Sequence, residues 1–152
     1  MISRSQTSAI RPPGFVYRES KLRESKSRRS TRGSDAQSVL YCEGVPLPAL
    51  AARYGTPLYV YSSATIRERY EAFDAAFRAV PHTICYSVKA NSNLTILRLL
   101  ARKGSGFDVV SGGELERVLA ADRKAAGKIV FSGVGKTREE LTTALKAGIL
   151  LF

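Results

Sequence analysis

The sequence contains no tryptophan, one histidine, one methionine and two cysteines among its 152 residues. Cys42 and Cys85 are far apart and lack metal-ligand spacing, so we expect free thiols in a reducing compartment rather than a disulfide framework. The single histidine, His82, follows a proline just before a strand-like run, which is typical of a surface turn. We therefore expect no metal site and no disulfide-stabilised scaffold.

A long apolar run is also lacking. No segment has the length and hydrophobicity that a membrane span requires, and no hydrophobic stretch follows the basic residues near the amino terminus, as a secretory signal would need. The length fits one average domain, and 44% hydrophobic residues are typical of a globular protein. We expect a cytoplasmic protein without a membrane partner.

Acidic and apolar residues are both scarce in residues 1–38. This segment contains nine Lys or Arg residues and three acidic residues, so it carries +6 of the total net charge of +11. Because this Ser-rich segment has few apolar residues, it cannot bury enough surface to offset its ordering entropy. We predict a disordered basic extension over residues 1–38.

Three interpretations of this basic extension remain open. A nucleic-acid-binding arm would use aromatic residues for stacking, and the extension offers only Phe15 and Tyr17. An organelle transit peptide fits the Arg and Ser content but not the acidic residues. A dispensable extension or a mis-assigned start is favoured, so we expect no nucleic-acid partner.

Regular hydrophobic patterns begin at Val39. Residues 58–61 form a β-rich run between turn residues, which predicts a strand. A helix should follow, because apolar residues recur there at helical spacing on one face. This face comprises Ile66, Tyr70, Phe73 and Phe77.

A strand–helix repeat then extends to the end of the chain. Strand-like runs occur at residues 84–89, 107–111, 129–132 and 149–152, and each interval carries a helical pattern. Alternating strands and single helices predict an α/β fold with a parallel sheet. The unit length suits either a (β/α) barrel or an open doubly wound sheet, and periodicity alone does not distinguish them.

Helix-terminal signals agree with this repeat. Two segments have the spacing of a capping box, and two glycines follow predicted helices where carboxyl-terminal caps belong. The capping pairs are Ser111 with Glu114 and Thr137 with Glu140, and the glycines are Gly104 and Gly148.

Lys89 is the first candidate for catalytic chemistry. With a strand period of two, it shares a face with the small residues Cys85 and Ser87 and stands at the carboxyl end of its strand, where ligands bind in parallel sheets. Burial in a partly dry site would depress its pKa, and the neutral amine could then attack an aldehyde. A surface lysine that ends a strand gives the same pattern, and the pattern alone favours it.

Two acidic residues are further candidates. Asp108 lies inside the apolar run of residues 107–110, where a carboxylate requires a partner, and Lys89 on the neighbouring strand is the one we predict. An ordinary aspartate at a strand end is equally compatible with the pattern. Glu114 can be explained as the acidic member of its capping box.

The loop Gly133–Thr137 ends like a phosphate-binding P-loop between a strand and a helix. The complete motif needs a glycine five residues before Gly135, and that position is Val130. The loop is therefore too short to wrap a triphosphate, and we do not expect nucleotide binding.

Five segments resemble the diaminopimelate decarboxylase family, within the alanine-racemase-like class of pyridoxal-phosphate enzymes. They cover residues 41–45, 54–61, 86–93, 104–115 and 129–137, in order and at ordinary spacing. Such agreement is more specific than any single motif, and it favours the cofactor-lysine interpretation of Lys89. The basic extension before Val39 is unlike the family.

The resemblance implies a fold. Members of this family have a (β/α)8 barrel of the TIM type followed by a β-domain. Residues 39–152 would form the amino-terminal part of the barrel, truncated after about the fourth strand, because the last run ends at Phe152 without a turn or helix. We therefore expect an incomplete barrel domain.

The resemblance also implies a site. Lys89 would hold pyridoxal 5'-phosphate covalently, Ser87 would lie beside it, and Asp108 and Glu114 match acidic positions near the cofactor and its lysine. The family's ring-stacking histidine, phosphate loop and ring-nitrogen acid would all lie past Phe152. We therefore expect this chain to be inactive alone.

The implied reaction is decarboxylation of meso-2,6-diaminopimelate to L-lysine and CO2, the last step of lysine biosynthesis, with an amino-acid substrate and a homodimeric full-length enzyme. A sister decarboxylase acting on ornithine, arginine or carboxynorspermidine is the first alternative. A non-catalytic cofactor-binding fragment is the second. Residues 55–61 and 133–137 favour the diaminopimelate enzyme.

Overall fold

The computed structural model describes residues 12–20 and 37–152. Predictions that concern residues 1–11 and 21–36 lie outside the described residues. The chain divides into two compact units, Met1–Thr65 and Ile66–Phe152. The boundary predicted after residue 38 lies inside a strand of the first unit.

The first unit contains a three-stranded antiparallel sheet in the order β1-β2-β3. Its elements are β1 (Phe15–Ser20), β2 (Gln37–Cys42), β3 (Val45–Pro46) and the following helix α1 (Leu47–Tyr54). Strand β1 belongs to the segment predicted to be disordered, and that prediction is wrong for these six residues. These residues pair with β2 along the whole strand, and Arg18 lies over the Tyr41 ring, 4.9 Å from its centroid.

The strand predicted for residues 58–61 does not form. No neighbouring strand pairs with this segment in the described part of the chain. Tyr59 is 85% exposed and Tyr61 is 57% exposed, so the β-rich composition gains no buried face. A strand without a ladder or a buried face is not stable by itself.

The second unit is built on a parallel sheet in the order β4-β5-β6. Its strands are β4 (Cys85–Ser87), β5 (Gly106–Val109) and β6 (Ile129–Phe131), and the helices are α2 (Ser63–Phe77, which begins before the unit boundary), α3 (Leu94–Arg102), α4 (Gly112–Ala121) and α5 (Arg138–Ala147). Short 3-10 turns cover Val88–Ala90 and Arg123–Lys128. The predicted alternation of strands and helices is confirmed.

The fourth predicted strand, residues 149–152, is present only as an isolated parallel bridge between Val130 and Leu151. The Phe131 amide donates to the Leu151 carbonyl at 2.8 Å, and the Leu150 amide donates to the Ile129 carbonyl at 2.9 Å. These bonds place the segment beside β6, in the direction that the repeat predicts.

One face of the parallel sheet forms the hydrophobic core. Phe107 and Val109 of β5, with Ile129 and Phe131 of β6, have no exposed surface. Helices α3, α4 and α5 supply most of the other buried residues, among them Leu97, Leu115, Val118 and Ala144. On α2, Ile66 and Tyr70 pack against this core, whereas Phe73 and Phe77 are exposed. The predicted apolar face of α2 is therefore only half covered.

The helix ends follow most of the predicted signals. Thr137 and Glu140 form the reciprocal capping box of α5, and Gly104 and Gly148 adopt φ angles of 88° and 71° after α3 and α5. Ser111 caps α4 by accepting from the Glu114 amide, but the Glu114 carboxylate binds elsewhere. The second predicted box is therefore half formed. Among the described helices, none is long and apolar enough to cross a membrane.

Candidate functional site

The second face of the parallel sheet is polar. Ser87 of β4 pairs with Asp108 of β5, and Asp108 pairs with Val130 of β6. Paired residues of neighbouring strands point to the same side, so these side chains lie on the face opposite Phe107 and Phe131. All three are half-buried, which leaves this face accessible in the described part of the chain.

Asp108 is held by two serine hydroxyls. Ser87 Oγ donates to Asp108 Oδ2 at 3.2 Å, and Ser132 Oγ donates to Asp108 Oδ1. The predicted partner of Asp108 was Lys89, and that prediction is wrong for this structure. Two hydroxyl donors satisfy the half-buried carboxylate instead, one on β4 and one just after β6.

Lys89 lies just beyond the strand, in the 3-10 turn Val88–Ala90. The turn rotates the backbone out of the strand period, so Lys89 is exposed rather than in the crowded, partly dry position predicted from alternation. Its side chain makes no hydrogen bond or ion pair with any described residue. A primary amine is therefore accessible at the carboxyl end of β4.

The surroundings of Lys89 hold the turn in place. Val88 is completely buried, and the Tyr86 hydroxyl donates to the Asn91 carbonyl at 3.2 Å. Asn93 caps α3 by accepting from the Thr95 amide at 2.8 Å. The loop that carries Lys89 is thus fixed at both ends, while the amine itself is unconstrained.

Glu114 serves the loop after β5. Its Oε2 accepts from the Val110 amide at 2.8 Å, and its own amide donates to Ser111 Oγ. The structure therefore brings Ser87 and Asp108 into contact, whereas the hydrogen bonds of Glu114 join it to neither Lys89 nor Asp108. Among the four predicted site residues, two form a hydrogen-bonded pair and two stand apart.

Small residues line the rest of the polar face. A Cβ atom on Gly106 would lie 2.5 Å from the Lys128 carbonyl oxygen and 2.8 Å from Cys85 Sγ. Burial, followed by the charge of Asp108, raises the pKa of the Cys85 thiol. The thiol therefore stays neutral at physiological pH, and Asp108 carries the negative charge of this face.

Glu140 joins the loops that follow β5 and β6. Its Oε1 accepts from the Gly112 amide at 2.6 Å, and its Oε2 accepts from the Thr137 amide at 2.9 Å. The Thr137 amide, and then that of Gly112, lower the pKa of this carboxyl below its ordinary value of 4.5. One carboxylate thereby positions two helix amino termini at the ligand-binding edge of the sheet.

The contact of Ser132, the tight packing at Gly106 and this role of Glu140 were not predicted from the sequence. The signal for Ser132 was available, because it lies two residues after Val130 and so shares a face with Asp108. Gly106 and Glu140 act across elements that are far apart in sequence. A packing contact of that kind leaves no local pattern.

The described residues contain no group of three or more His, Cys, Asp and Glu side chains that could hold a metal ion. The arrangement suits an aldehyde-bearing aromatic cofactor better. Lys89 offers an accessible amine, and Asp108 supplies a fixed negative charge on the polar face.

Comparisons with known proteins agree with this chemistry. The model of the family described as "Pyridoxal-dependent decarboxylase, pyridoxal binding domain" matches residues 63–152. A diaminopimelate decarboxylase of Pseudomonas fluorescens is 59% identical over 113 residues, which are 74% of this chain and 27% of that protein. The chain thus spans about a quarter of this relative's length.

Two solved structures are similar to the chain. Diaminopimelate decarboxylase from M. jannaschii, in co-complex with L-lysine, is 39% identical with a TM-score of 0.69, over 74% of this chain and 27% of that one. A lysine/ornithine decarboxylase from Vibrio vulnificus, complexed with cadaverine, is 25% identical with a TM-score of 0.61. The match covers 68% of this chain and 28% of that one. The predicted fold class, the amino-terminal part of a barrel of the TIM type, is confirmed.

Proposed function

Because the chain belongs to the pyridoxal-dependent decarboxylase family, we propose that it supplies the cofactor-holding lysine, Lys89, of a diaminopimelate decarboxylase. The reaction would convert meso-2,6-diaminopimelate to L-lysine and CO2. The observation that carries this proposal is the accessible, unpartnered Lys89 amine at the carboxyl end of β4, on a sheet whose next strand carries the fixed Asp108 carboxylate. The identity of 59% with a relative of that name supports the choice of substrate.

Pyridoxal phosphate, the family's cofactor, supplies an aldehyde for covalent attachment and a ring that withdraws electrons from the carbon losing CO2. Lys89 would hold the cofactor through Nζ, which has a free electron pair only as the neutral amine. When it does not hold the cofactor, Lys89 Nζ would be free to hold and return a proton. The exposed position beyond the strand allows this movement.

The other candidate site residues position the loops and hold a negative charge. Ser87 and Ser132 fix both oxygens of Asp108, so that its negative charge has one position on the polar face. We propose that Asp108 stabilises positive charge on the bound cofactor and its lysine. Glu114 and Glu140 act as positioning residues, because they bind backbone amides of the loops around the site.

The test is covalent trapping. The chain is incubated with pyridoxal phosphate, reduced with borohydride and mapped by peptide mass spectrometry, and we expect the label on Lys89. Lys89→Ala should abolish this labelling, whereas the control Lys136→Ala should retain it, because Lys136 is engaged by the Gly133 carbonyl at 2.7 Å. Preferential label on Lys103, Lys128 or Lys136 would contradict the assignment.

The chain alone should not decarboxylate. Only the loops after three strands are described at the ligand-binding edge, and a barrel site is assembled from loops after many strands. Mixing the chain with cofactor and meso-diaminopimelate should give no lysine above the rate with cofactor alone. Sustained turnover would show that residues 39–152 hold every essential group.

A sister decarboxylase is the second candidate, supported by the similarity to the lysine/ornithine decarboxylase at 25% identity. Competition distinguishes the two, because the correct substrate amine should displace the Lys89 attachment most effectively before reduction. Protection by meso-diaminopimelate, rather than by ornithine or lysine, is expected. The homodimer and the cytoplasmic location stay predictions.

A further inference from the structure

A cationic cleft of about 480 Å3 lies between α2 and α3 in the second unit. Its lining residues are Arg67, Thr95, Arg98, Leu99, Arg102 and Lys103. None of these belongs to the polar face of the sheet or to the Lys89 turn. The cleft carries four cationic side chains and no acidic one.

The residues from α3 form one continuous stripe. Thr95, Arg98, Leu99 and Arg102 follow the i, i+3, i+4, i+7 spacing of a single helix face. Arg98 and Arg102 are one turn apart, and like charges at this spacing destabilise a helix. The opposite face of α3 carries Ile96, Leu97 and Leu100, which are buried in the core, so the cationic stripe faces away from the core.

Arg67 of α2 brings a third guanidinium to the same cleft. Lys103 Nζ donates to Glu71 Oε1, and this ion pair joins the end of α3 to α2. Glu71 is therefore already engaged by Lys103. Arg67, Arg98 and Arg102 make no hydrogen bond or ion pair with any described residue.

We infer that this cleft binds a small phosphoryl compound with two phosphate groups, of the pyrophosphate class. Guanidinium groups present planar forks of donors that match phosphate oxygens. A phosphate group carries about −1.5 to −2 charge at pH 7, so two of them balance the three unpaired guanidinium charges. The bound anion removes the repulsion between Arg98 and Arg102, and the Thr95 hydroxyl adds a donor.

The test is calorimetric titration of the full chain with sodium pyrophosphate at constant ionic strength. The double variant Arg98→Gln/Arg102→Gln should bind at least about tenfold more weakly, because it loses charge-assisted hydrogen bonds. The matched control is Arg123→Gln/Lys124→Gln, which removes the same net charge from exposed residues outside the cleft. Its affinity should stay within about twofold of the parent, because distant surface charges are screened by salt.

The single variant Arg67→Gln, on the other helix, should also weaken binding while Arg123→Gln does not. This second helix keeps the test decisive if the double variant fails to fold, which circular dichroism checks. Equal weakening in both double variants, or no saturable binding by the parent, would overturn the inference. Tighter binding of a short oligoribonucleotide, with the same dependence on Arg98 and Arg102, would overturn the assignment to a small ligand.

Discussion

The two faces of the parallel sheet differ in what their side chains contact. On one face Phe107, Ile129 and Phe131 have no exposed surface and pack beneath the helices. On the other face Ser87 and Asp108 are half-buried and hydrogen-bonded to each other. The same three strands thus bury apolar side chains on one face and present polar, hydrogen-bonded side chains on the other. Substitutions on the two faces should therefore have separable effects.

The largest effect is expected from a substitution on the apolar face. Phe107→Ala should lower the free energy of unfolding by about 3–5 kcal/mol, because it removes a fully buried ring and leaves a cavity. Phe73→Ala is the matched control, since Phe73 is 55% exposed. Urea unfolding followed by circular dichroism measures both. A similar loss for the two variants would show that the core does not lie beneath the helices.

A smaller loss is expected from Gly106→Ala on the polar face. The new Cβ would lie 2.5 Å from the Lys128 carbonyl oxygen, so the backbone must shift, at a cost of about 1–3 kcal/mol. Gly113→Ala is the control, because nothing lies within 4 Å of a Cβ there. Gly113 lies inside α4, where alanine is favoured over glycine, so this control should gain stability. A loss of stability in the control would contradict the steric explanation.

Ser87→Ala sharpens the comparison between the faces. It removes one hydrogen bond to Asp108 and should cost only about 0.5–1.5 kcal/mol of unfolding free energy. Borohydride-trapped label on Lys89 should nevertheless fall, since Asp108 loses one of its two positioning contacts. Ser38→Ala, on a strand of the first unit, is the control and should leave the label unchanged. Full labelling in Ser87→Ala would show that the positioning of Asp108 by Ser87 is not required for cofactor binding.

The smallest expected effect depends on pH. The folded-state pKa of Glu140 lies below its ordinary value of 4.5, so its contribution is fully present above that pH and is lost as pH falls through the lower, folded value. The denaturation midpoints of the parent and Glu140→Gln should therefore converge between pH 4.5 and more acidic pH. Glu139→Gln, which removes the same charge from an exposed neighbour that accepts no backbone amide in the described contacts, is the matched control. A constant difference would exclude this linkage.

The repeat in residues 84–152 could be predicted from the sequence because each strand and helix carries its own periodicity and caps. Strand β1 could not, because its order depends on pairing with β2, sixteen residues beyond its end. Residues 58–61 show the reverse case, since a β-rich composition finds no partner strand. β propensity indicates only that a segment can adopt an extended conformation. Whether a strand forms also depends on a second segment that pairs with it.

The contacts of the four candidate site residues could not be predicted from the sequence, and their roles stay predictions. Lys89, Ser87, Asp108 and Glu114 were all named, yet alternation placed Lys89 on the polar face because the sequence does not reveal the 3-10 turn. The prediction that Lys89 is the partner of Asp108 depended on this wrong placement. Ser132 provides the contact instead, and it directly follows β6, whose register beside β5 is visible only in the folded sheet.

The Glu140 contacts have a consequence for hydrogen exchange. Amides in the first turn of a helix lack intrahelical acceptors and ordinarily exchange with solvent readily. The amides of Gly112 and Thr137 are both satisfied by this one carboxylate, so both should be protected. Release of the carboxylate exposes both amides in the same event. The loops after β5 and β6 therefore behave as one cooperative opening unit, although 28 residues separate Gly112 from Glu140.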